Sequence, residues 1–458
     1  MDFDKFNYTE YLREFFSRDE KHKKAYVHSF GCQLNVSDGE KIKGILKNLG
    51  FDFSEKPEES DIIILNTCAV RESAEDRIFG IIGSLKKLKT ENPELIIGIS
   101  GCMTAQQKNV DIIKKKYPQV DIVLGTSAIN SLPKLIYDCV QGQKFSYDIS
   151  EYADFSNPQE QVRESSFKAS VPIMFGCNNF CTYCIVPYVR GRERSRNSQE
   201  IINEVKQLVN EGYKEIMLLG QNVNSYGKDL KDGISFPELL RSLNEIEGDF
   251  IIRFMSSHPK DATKELLDTI IKCDKVAKHL HLPVQSGSNS ILKAMNRNYT
   301  VEKYLETVNY LRRYDSNFSL TTDIIVGFPN ETDEEFEDTI KLIKLVEYDN
   351  IYSFIYSKRS GTKASEIEDL TPEKTKSVRM QRLLEVQREI SDRHYKRFIG
   401  QTMRVLVDGK SKKHSGFMTG KSNEFIIVEF AGDESLKGKF VNVKITGAMN
   451  WAVTGELI

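Results

Sequence analysis

The chain has no long apolar run. A helix that crosses a bilayer needs about 20 consecutive apolar residues, and no segment here comes near that, so no membrane association is expected. It also lacks a strong charge of either sign: 64 Lys and Arg stand against 66 Asp and Glu, for a formal net charge of −2. A polycation that coats nucleic acid along its whole surface is thereby excluded, and any contact with RNA has to come from local basic patches. Tryptophan occurs once, and low-complexity tracts and short-period repeats are absent. The opening MDFDKFNYTEYLREFF is rich in acids and has no apolar core, so it does not read as a signal peptide. A cytoplasmic protein is the expectation, in which thiols stay reduced.

Cysteine is sparse too, with eight in 458 residues, far too few for a disulfide scaffold. Their placement is informative. Over 24–145, AYVHSFGC, DIIILNTC and LIIGISGC each read as a buried strand ending in a cysteine, with amphipathic stretches between. Strands alternating with helices predict a parallel, doubly wound α/β sheet, whose ligands bind at the carboxyl edge. Cys32, Cys68 and Cys102 would share that edge. The bland reading is three packed thiols; Gly31 and Gly101, which let the backbone approach a bulky group, favour a ligand.

A polar stretch, DISEYADFSNPQEQVRESSFK, reads as a linker. Six further strand and helix alternations follow within 169–398, starting at ASVPIMFG and ending at IYSFIYS, and predict a partial (β/α)6 barrel. The segment after each strand is polar: GCNNFC, GQNVNSYG, SSHPKD, QSGSNS, GFPNET, SKRSGT. Barrel active sites are built on such loops. After a long charged helix, 400–458 reads as short strands with charged turns, a small antiparallel β-barrel that is slightly basic.

The sharpest signal is GCNNFCTYC, which places Cys177, Cys181 and Cys184 on the first barrel loop. Zinc asks for a fourth ligand that no following cysteine pair supplies. A thioredoxin-like pair would leave Cys177 idle. A four-iron cube normally takes four thiolates, so three would leave one iron open.

That loop resembles the radical S-adenosylmethionine enzymes. With GCQLNVSDGE, LNTCAVRESAEDR, GCMTAQ, CTYCIVPYVRGRERSR, LLGQNVNSYG, SSHP, HLPVQSGSNSILKAMNRNYT and DIIVGFPNET, nearly the whole chain from residue 24 is similar to the methylthiotransferase family. Leu34, where methionine is common, is a small departure. The resemblance implies two 4Fe–4S clusters, one on Cys177, Cys181 and Cys184 that binds S-adenosylmethionine, and an auxiliary one on Cys32, Cys68 and Cys102. It implies a 5′-deoxyadenosyl radical, sulfur insertion at C2 of N6-isopentenyladenosine at tRNA position 37, then methylation of that sulfur, with no catalytic residue beyond the clusters. It implies a C-terminal TRAM-like RNA-binding domain, the tRNA anticodon stem-loop as partner and an electron donor such as flavodoxin or ferredoxin; a monomer is the separate expectation for the assembly. Alternatives are threonylcarbamoyl-adenosine or a ribosomal-protein aspartate as substrate, and a metal-stabilised RNA-binding protein with no activity.

By position, Gln221, Asn222, Ser256, His258, Gln285, Ser286 and Asp323 are expected to contact the cofactor or substrate, although each is also a residue type that caps turns. Arg190, Arg192, Arg194 and Arg196, with Lys412 and Lys413, are expected to meet phosphates; an exposed charged edge is the plain alternative. His279 and His281 alternate along a strand, and at least one of them reads as a satisfied interior residue and not a ligand. Cys139 and Cys273 read as buried thiols.

Overall fold

A computed structural model describes residues 6–18, 22–68, 72–150, 161–231 and 233–458. Parts of LNTCAVRESAEDR and of the expected linker lie outside the described residues. The chain divides into two compact units.

The first unit is built on six strands: β1 (Lys24–Ser29), β2 (Asp52–Phe53), β3 (Ile62–Thr67), β4 (Ile96–Gly101), β5 (Ile122–Leu124) and β6 (Ser146–Asp148). All pairings are parallel, in the order β2-β1-β3-β4-β5-β6. The apolar runs explain this. In a strand, alternate side chains point to opposite faces, so a continuous apolar run supplies both. Ile62, Ile64, Ile122 and Leu124 join one core with Ile42, Ile45 and Leu46 of the helix Gln33–Asn48. Ile63, Leu65, Ile97, Ile99 and Val123 join a second core with Ile78, Ile82 and Val110 from other helices. Each fully buried isoleucine is worth about 1.5–3 kcal/mol relative to exposure, and the sheet is covered on both faces, as expected. Strand β6 lies just past the expected limit at 145. The end of the expected linker joins this unit as well, with Val162 N donating to Glu40 O and Lys43 paired with Glu164.

The second unit holds the six barrel strands, β7 (Lys168–Pro172), β8 (Glu215–Leu219), β9 (Ile251–Phe254), β10 (His279–His281), β11 (Ser319–Val326) and β12 (Asn350–Ile355). Two parallel three-stranded sheets, β7-β8-β9 and β10-β11-β12, are joined by the parallel bridge Ile252↔Val276, just before β10. Helices with clear start signals follow the strands. Ser235 with Glu238, and Thr332 with Glu335, form capping boxes that satisfy two otherwise orphaned backbone donors each.

Five strands close the C-terminal barrel: β13 (Thr402–Lys410), β14 (Phe417–Ser422), β15 (Ile427–Ala431), β16 (Phe440–Ala448) and β17 (Val453–Leu457), in the order β13-β14-β15-β17-β16. The expectation of an antiparallel barrel needs one correction, because β15 and β17 pair in parallel. An odd number of strands cannot alternate direction all the way round a closed ring, so one neighbouring pair must run the same way. The turn after β14 docks at the amino-terminal end of the larger barrel. Arg253 Nη2 donates to Ser422 O at 2.7 Å, and His279 stacks on Phe425 at 4.7 Å.

Candidate active site

Strands β1, β3 and β4 are neighbours, and each ends in a cysteine: Cys32 caps the helix after β1, Cys68 follows β3 and Cys102 follows β4. Neighbouring strands lie about 4.8 Å apart, so the three strand ends that carry these cysteines span roughly 10 Å of one sheet edge. Among the described residues, no three His, Cys, Asp or Glu side chains gather around a single-ion position. The approach is tight. Gly31 has φ of +98°, and a Cβ there would lie 2.6 Å from Cys68 Sγ, so only glycine lets the two loops meet. Asn35 ties the edge together, donating to Phe30 O at 2.6 Å and Asn66 O at 3.1 Å, while Asn66 donates back to Asn35 O. Cys32 is exposed; Cys68 and Cys102 are buried. Burial pushes the Cys102 thiol up, with Arg190 pulling the other way.

The cysteine loop is divided, with 175–178 and 184–193 belonging to the first unit and 179–183 to the second. In the first unit, Cys177 N donates to Gly191 O, and Ile185 and Val189 pack on Cys102. Here the structure departs from expectation at Arg190. Its side chain is only 5% exposed, with Nε 3.3 Å from Cys102 Sγ and Nη2 2.8 Å from Asp38 Oδ2. It is not offered to a phosphate. Arg196 is likewise engaged internally, donating to Pro172 O and Glu204, whereas Arg192 is exposed and Arg194 partly buried.

In the second unit the loop is pinned by the segment 294–297. Thr182 N donates to Met295 O, Asn296 donates to the Asn179 and Phe180 carbonyls, and Arg297 Nη1 reaches Cys181 Sγ at 3.5 Å. Lys260 donates to Asn179 Oδ1. Around this loop stand the ends of β8 and β9. Asn222 donates to Asp261 at 2.8 Å. Gln221 Oε1, Asn222 Oδ1, both amide atoms of Asn224, Ser257 Oγ and His258 Nε2 are buried with no protein partner. Leaving a buried polar atom unpaired costs about 1–3 kcal/mol, so so many on two adjacent loops fit a polar ligand. His258 Nδ1 accepts from Lys260 N, and burial with the nearby Arg297, Lys260 and Lys228 charges lowers its pKa to about 2. The ring is therefore neutral, and because Nδ1 accepts, Nε2 carries the proton and is left as an unpaired donor.

The remaining expected residues divide. Ser256 is partly buried and its carbonyl accepts from Val223 N. Gln285, with φ of +70°, exchanges backbone hydrogen bonds with β11, and Ser286 Oγ meets Thr339 and caps Ser288 N, an internal turn role. Asp323 is partly exposed and faces His281 at 3.4 Å. His279 and His281 share Thr321 Oγ1 at 2.8 and 2.9 Å, inside the barrel. Lys412 is exposed, and Lys413 Nζ lies 3.8 Å from the centroid of the Trp451 ring. Burial raises the Cys139 thiol to about 12, and Cys273 is buried. Sequence reasoning missed Asn224, Ser257 and Arg297. All three lie inside the quoted motifs, in QNVN, SSHP and AMNRNYT, so the signal was there, although the motif does not say which of its residues faces the site.

A partial six-stranded barrel with a three-cysteine loop after its first strand, and unsatisfied polar groups on the following loops, defines a radical S-adenosylmethionine protein. The chain matches the Radical SAM superfamily over residues 171–343, the uncharacterized protein family UPF0004 over 24–125 and the TRAM domain over 396–458. It belongs to the methylthiotransferase family. It is 49% identical over 447 residues to the tRNA-2-methylthio-N(6)-dimethylallyladenosine synthase of Thermoanaerobacter pseudethanolicus, covering 96% of this chain and 94% of the relative. With the protein of the same name from Clostridium botulinum strain Langeland it shares 49% identity, covering 94% and 96%. In fold it is similar to the radical S-adenosylmethionine methyltransferase TsrM from Kitasatospora setae, with a TM-score of 0.55, 12% identity and 75% of each chain covered.

Proposed function

We propose that this chain is a tRNA methylthiotransferase, inserting sulfur at C2 of N6-isopentenyladenosine at position 37 and methylating it to the 2-methylthio nucleoside. The observation that carries this reading is the pair of thiol trios, one on a parallel sheet edge and one on the first barrel loop. Each would hold a 4Fe–4S cluster, Cys32, Cys68 and Cys102 the auxiliary one and Cys177, Cys181 and Cys184 the other. When bound, the clusters and S-adenosylmethionine supply the one-electron chemistry and the methyl group, since an unactivated aromatic C–H offers a base no acidic proton.

The chain's own residues bind and orient. Gln221, Asn222, Asn224, Ser257 and His258 would receive the polar parts of S-adenosylmethionine, and Asp323 its ribose or the substrate. His258, kept neutral, has a ring nitrogen to offer without adding a positive charge near a sulfonium. Arg192, Arg194, Lys412 and Lys413 are the basic groups for the RNA backbone, worth measuring by the salt dependence of tRNA affinity. The partners are the tRNA anticodon stem-loop and an electron donor such as flavodoxin or ferredoxin; the setting is the cytoplasm and the acting species a monomer. Among the described residues no helix is long and apolar enough to cross a membrane.

Nucleoside analysis of tRNA from a strain lacking the protein tests the substrate. The 2-methylthio nucleoside is expected to vanish while N6-isopentenyladenosine accumulates; an unchanged profile overturns the reading. Anaerobic reconstitution should give about eight irons per chain, four for each cluster.

A further inference from the structure

Arg190 is a buried charge beside the Cys32, Cys68 and Cys102 trio. Arg190 follows Cys184 by six residues, on the short helix Val186–Val189 and its C-cap. This segment returns to the sheet edge of the first unit, where Ile185 and Val189 pack on Cys102 and Thr126 Oγ1 donates to Val189 O at 2.8 Å. The guanidinium then divides its donors. Nε donates to Cys102 Sγ at 3.3 Å and Nη2 to Asn35 Oδ1 at 3.4 Å, and Nη2 forms an ion pair with Asp38 Oδ2 at 2.8 Å. Asn35 and Asp38 are themselves 0% and 2% exposed.

The arrangement is costly unless it serves a charge. Removing a guanidinium and a carboxylate from water carries a desolvation penalty that their mutual attraction only partly offsets. A surplus of negative charge on the thiolate side changes that balance, because the cation then faces both a carboxylate and a sulfur ligand. A planar fork is the side chain that meets two acceptors in fixed directions; a lysine ammonium is a point charge that does not. Asn35 contributes a third anchor and is already tied to the strand ends through Phe30 O and Asn66 O.

We infer that Arg190, held by Asp38 and Asn35, is a positioning residue for the auxiliary cluster: it donates to the Cys102 thiolate and sets the cluster's reduction potential, while its segment fixes that sheet edge to the loop bearing Cys184. The inference rests on the two-cluster reading. Hydrogen bonds to ligand sulfurs and local net charge are the protein's levers on such potentials. Donation to a thiolate and a nearby positive charge both favour the reduced form, which carries one more electron. Taking the guanidinium away should therefore make reduction harder. Neutralising Asp38 should leave the guanidinium uncompensated and make reduction easier.

The test uses the full-length chain with Cys177, Cys181 and Cys184 all changed to Ala, so that only the auxiliary site can load, reconstituted anaerobically with iron and sulfide. Redox titration followed by electron paramagnetic resonance reads the midpoint. Arg190→Gln should shift it to a more negative value, Arg190→Lys should shift it less in the same direction, and Asp38→Asn should shift it to a more positive value. Iron content should stay near four per chain throughout. A residue that only supports packing would not give shifts of opposite sign. If Arg190→Gln loses its iron, Asp38→Asn decides alone, since its side chain is nearly the same shape. Unmoved midpoints with iron retained overturn the inference and leave the two-cluster reading standing. A parent variant that takes up no iron overturns both.

Discussion

Arg297 donates to the Cys181 sulfur across 3.5 Å, although the two lie 116 residues apart. The same guanidinium is fixed by Pro283 O at 2.6 Å and Tyr299 Oη at 3.0 Å and is almost fully buried. It is a cation held in place by the β10 loop and aimed at one sulfur of the cysteine loop. Arg297→Ala should lower reductive cleavage of S-adenosylmethionine by at least tenfold, about 1.4 kcal/mol in the barrier. Chromatographic measurement of 5′-deoxyadenosine with dithionite as reductant checks it. An unchanged rate would mean that the contact only supports packing.

The two trios should fail separately. Cys181→Ala is expected to abolish cleavage of S-adenosylmethionine and retain the auxiliary iron. Cys68→Ala is expected to preserve cleavage and stop sulfur insertion. Iron analysis, 5′-deoxyadenosine release and product nucleoside are measured on each variant. Loss of both activities in both variants, with folding intact, would contradict the division of labour.

Arg253 should be a stability residue and not a chemical one. It is 2% exposed, pairs with Glu215 at 2.8 Å and donates to Ser422 O at the end of β14. Burial raises the Glu215 carboxyl, and the Arg253 and Lys168 charges outweigh this and hold it below the usual carboxylate range. Arg253→Ala strands that carboxylate, which costs about 3–5 kcal/mol for a buried pair. Thermal unfolding should shift several degrees lower, and the release of the C-terminal barrel should show as faster proteolysis near 420.

His258 gives a pH signature. Its pKa of about 2 lies far below the 6.5 of an unfolded histidine. Between those values the unfolded chain binds a proton that the native state does not, so stability falls as pH drops from 6.5. Above 6.5 the term is fully present. His258→Gln should therefore flatten the acid side of the curve of unfolding temperature against pH between 7 and 4. A parallel, merely lowered curve would show that the ring does not titrate in this way.

Much of this molecule was legible in advance because its signals are local. DIIILNTC supplies apolar groups to both faces of a strand, and Ile62, Ile63, Ile64 and Leu65 are buried accordingly. The six barrel strands and their helices follow the same rule, and His279 and His281, of which at least one is expected to be satisfied inside, both are. The parallel closure of the C-terminal barrel was not legible, because it follows from strand number in a ring and not from any pattern along one strand. Ser286 and Arg190 show the harder limit. Both sit in motifs rich in polar groups, yet one caps a turn and the other faces a thiol.

Sequence alone determined where strands end, that a thiol follows each of three strands, and that three more share one loop, because periodicity and spacing are properties of neighbouring residues. Tertiary structure decided which of the alternating arginines 190, 192, 194 and 196 would be buried, and which sulfurs would receive a guanidinium. Such choices depend on desolvation and on partners brought together from distant parts of the chain, and no local pattern carries that information.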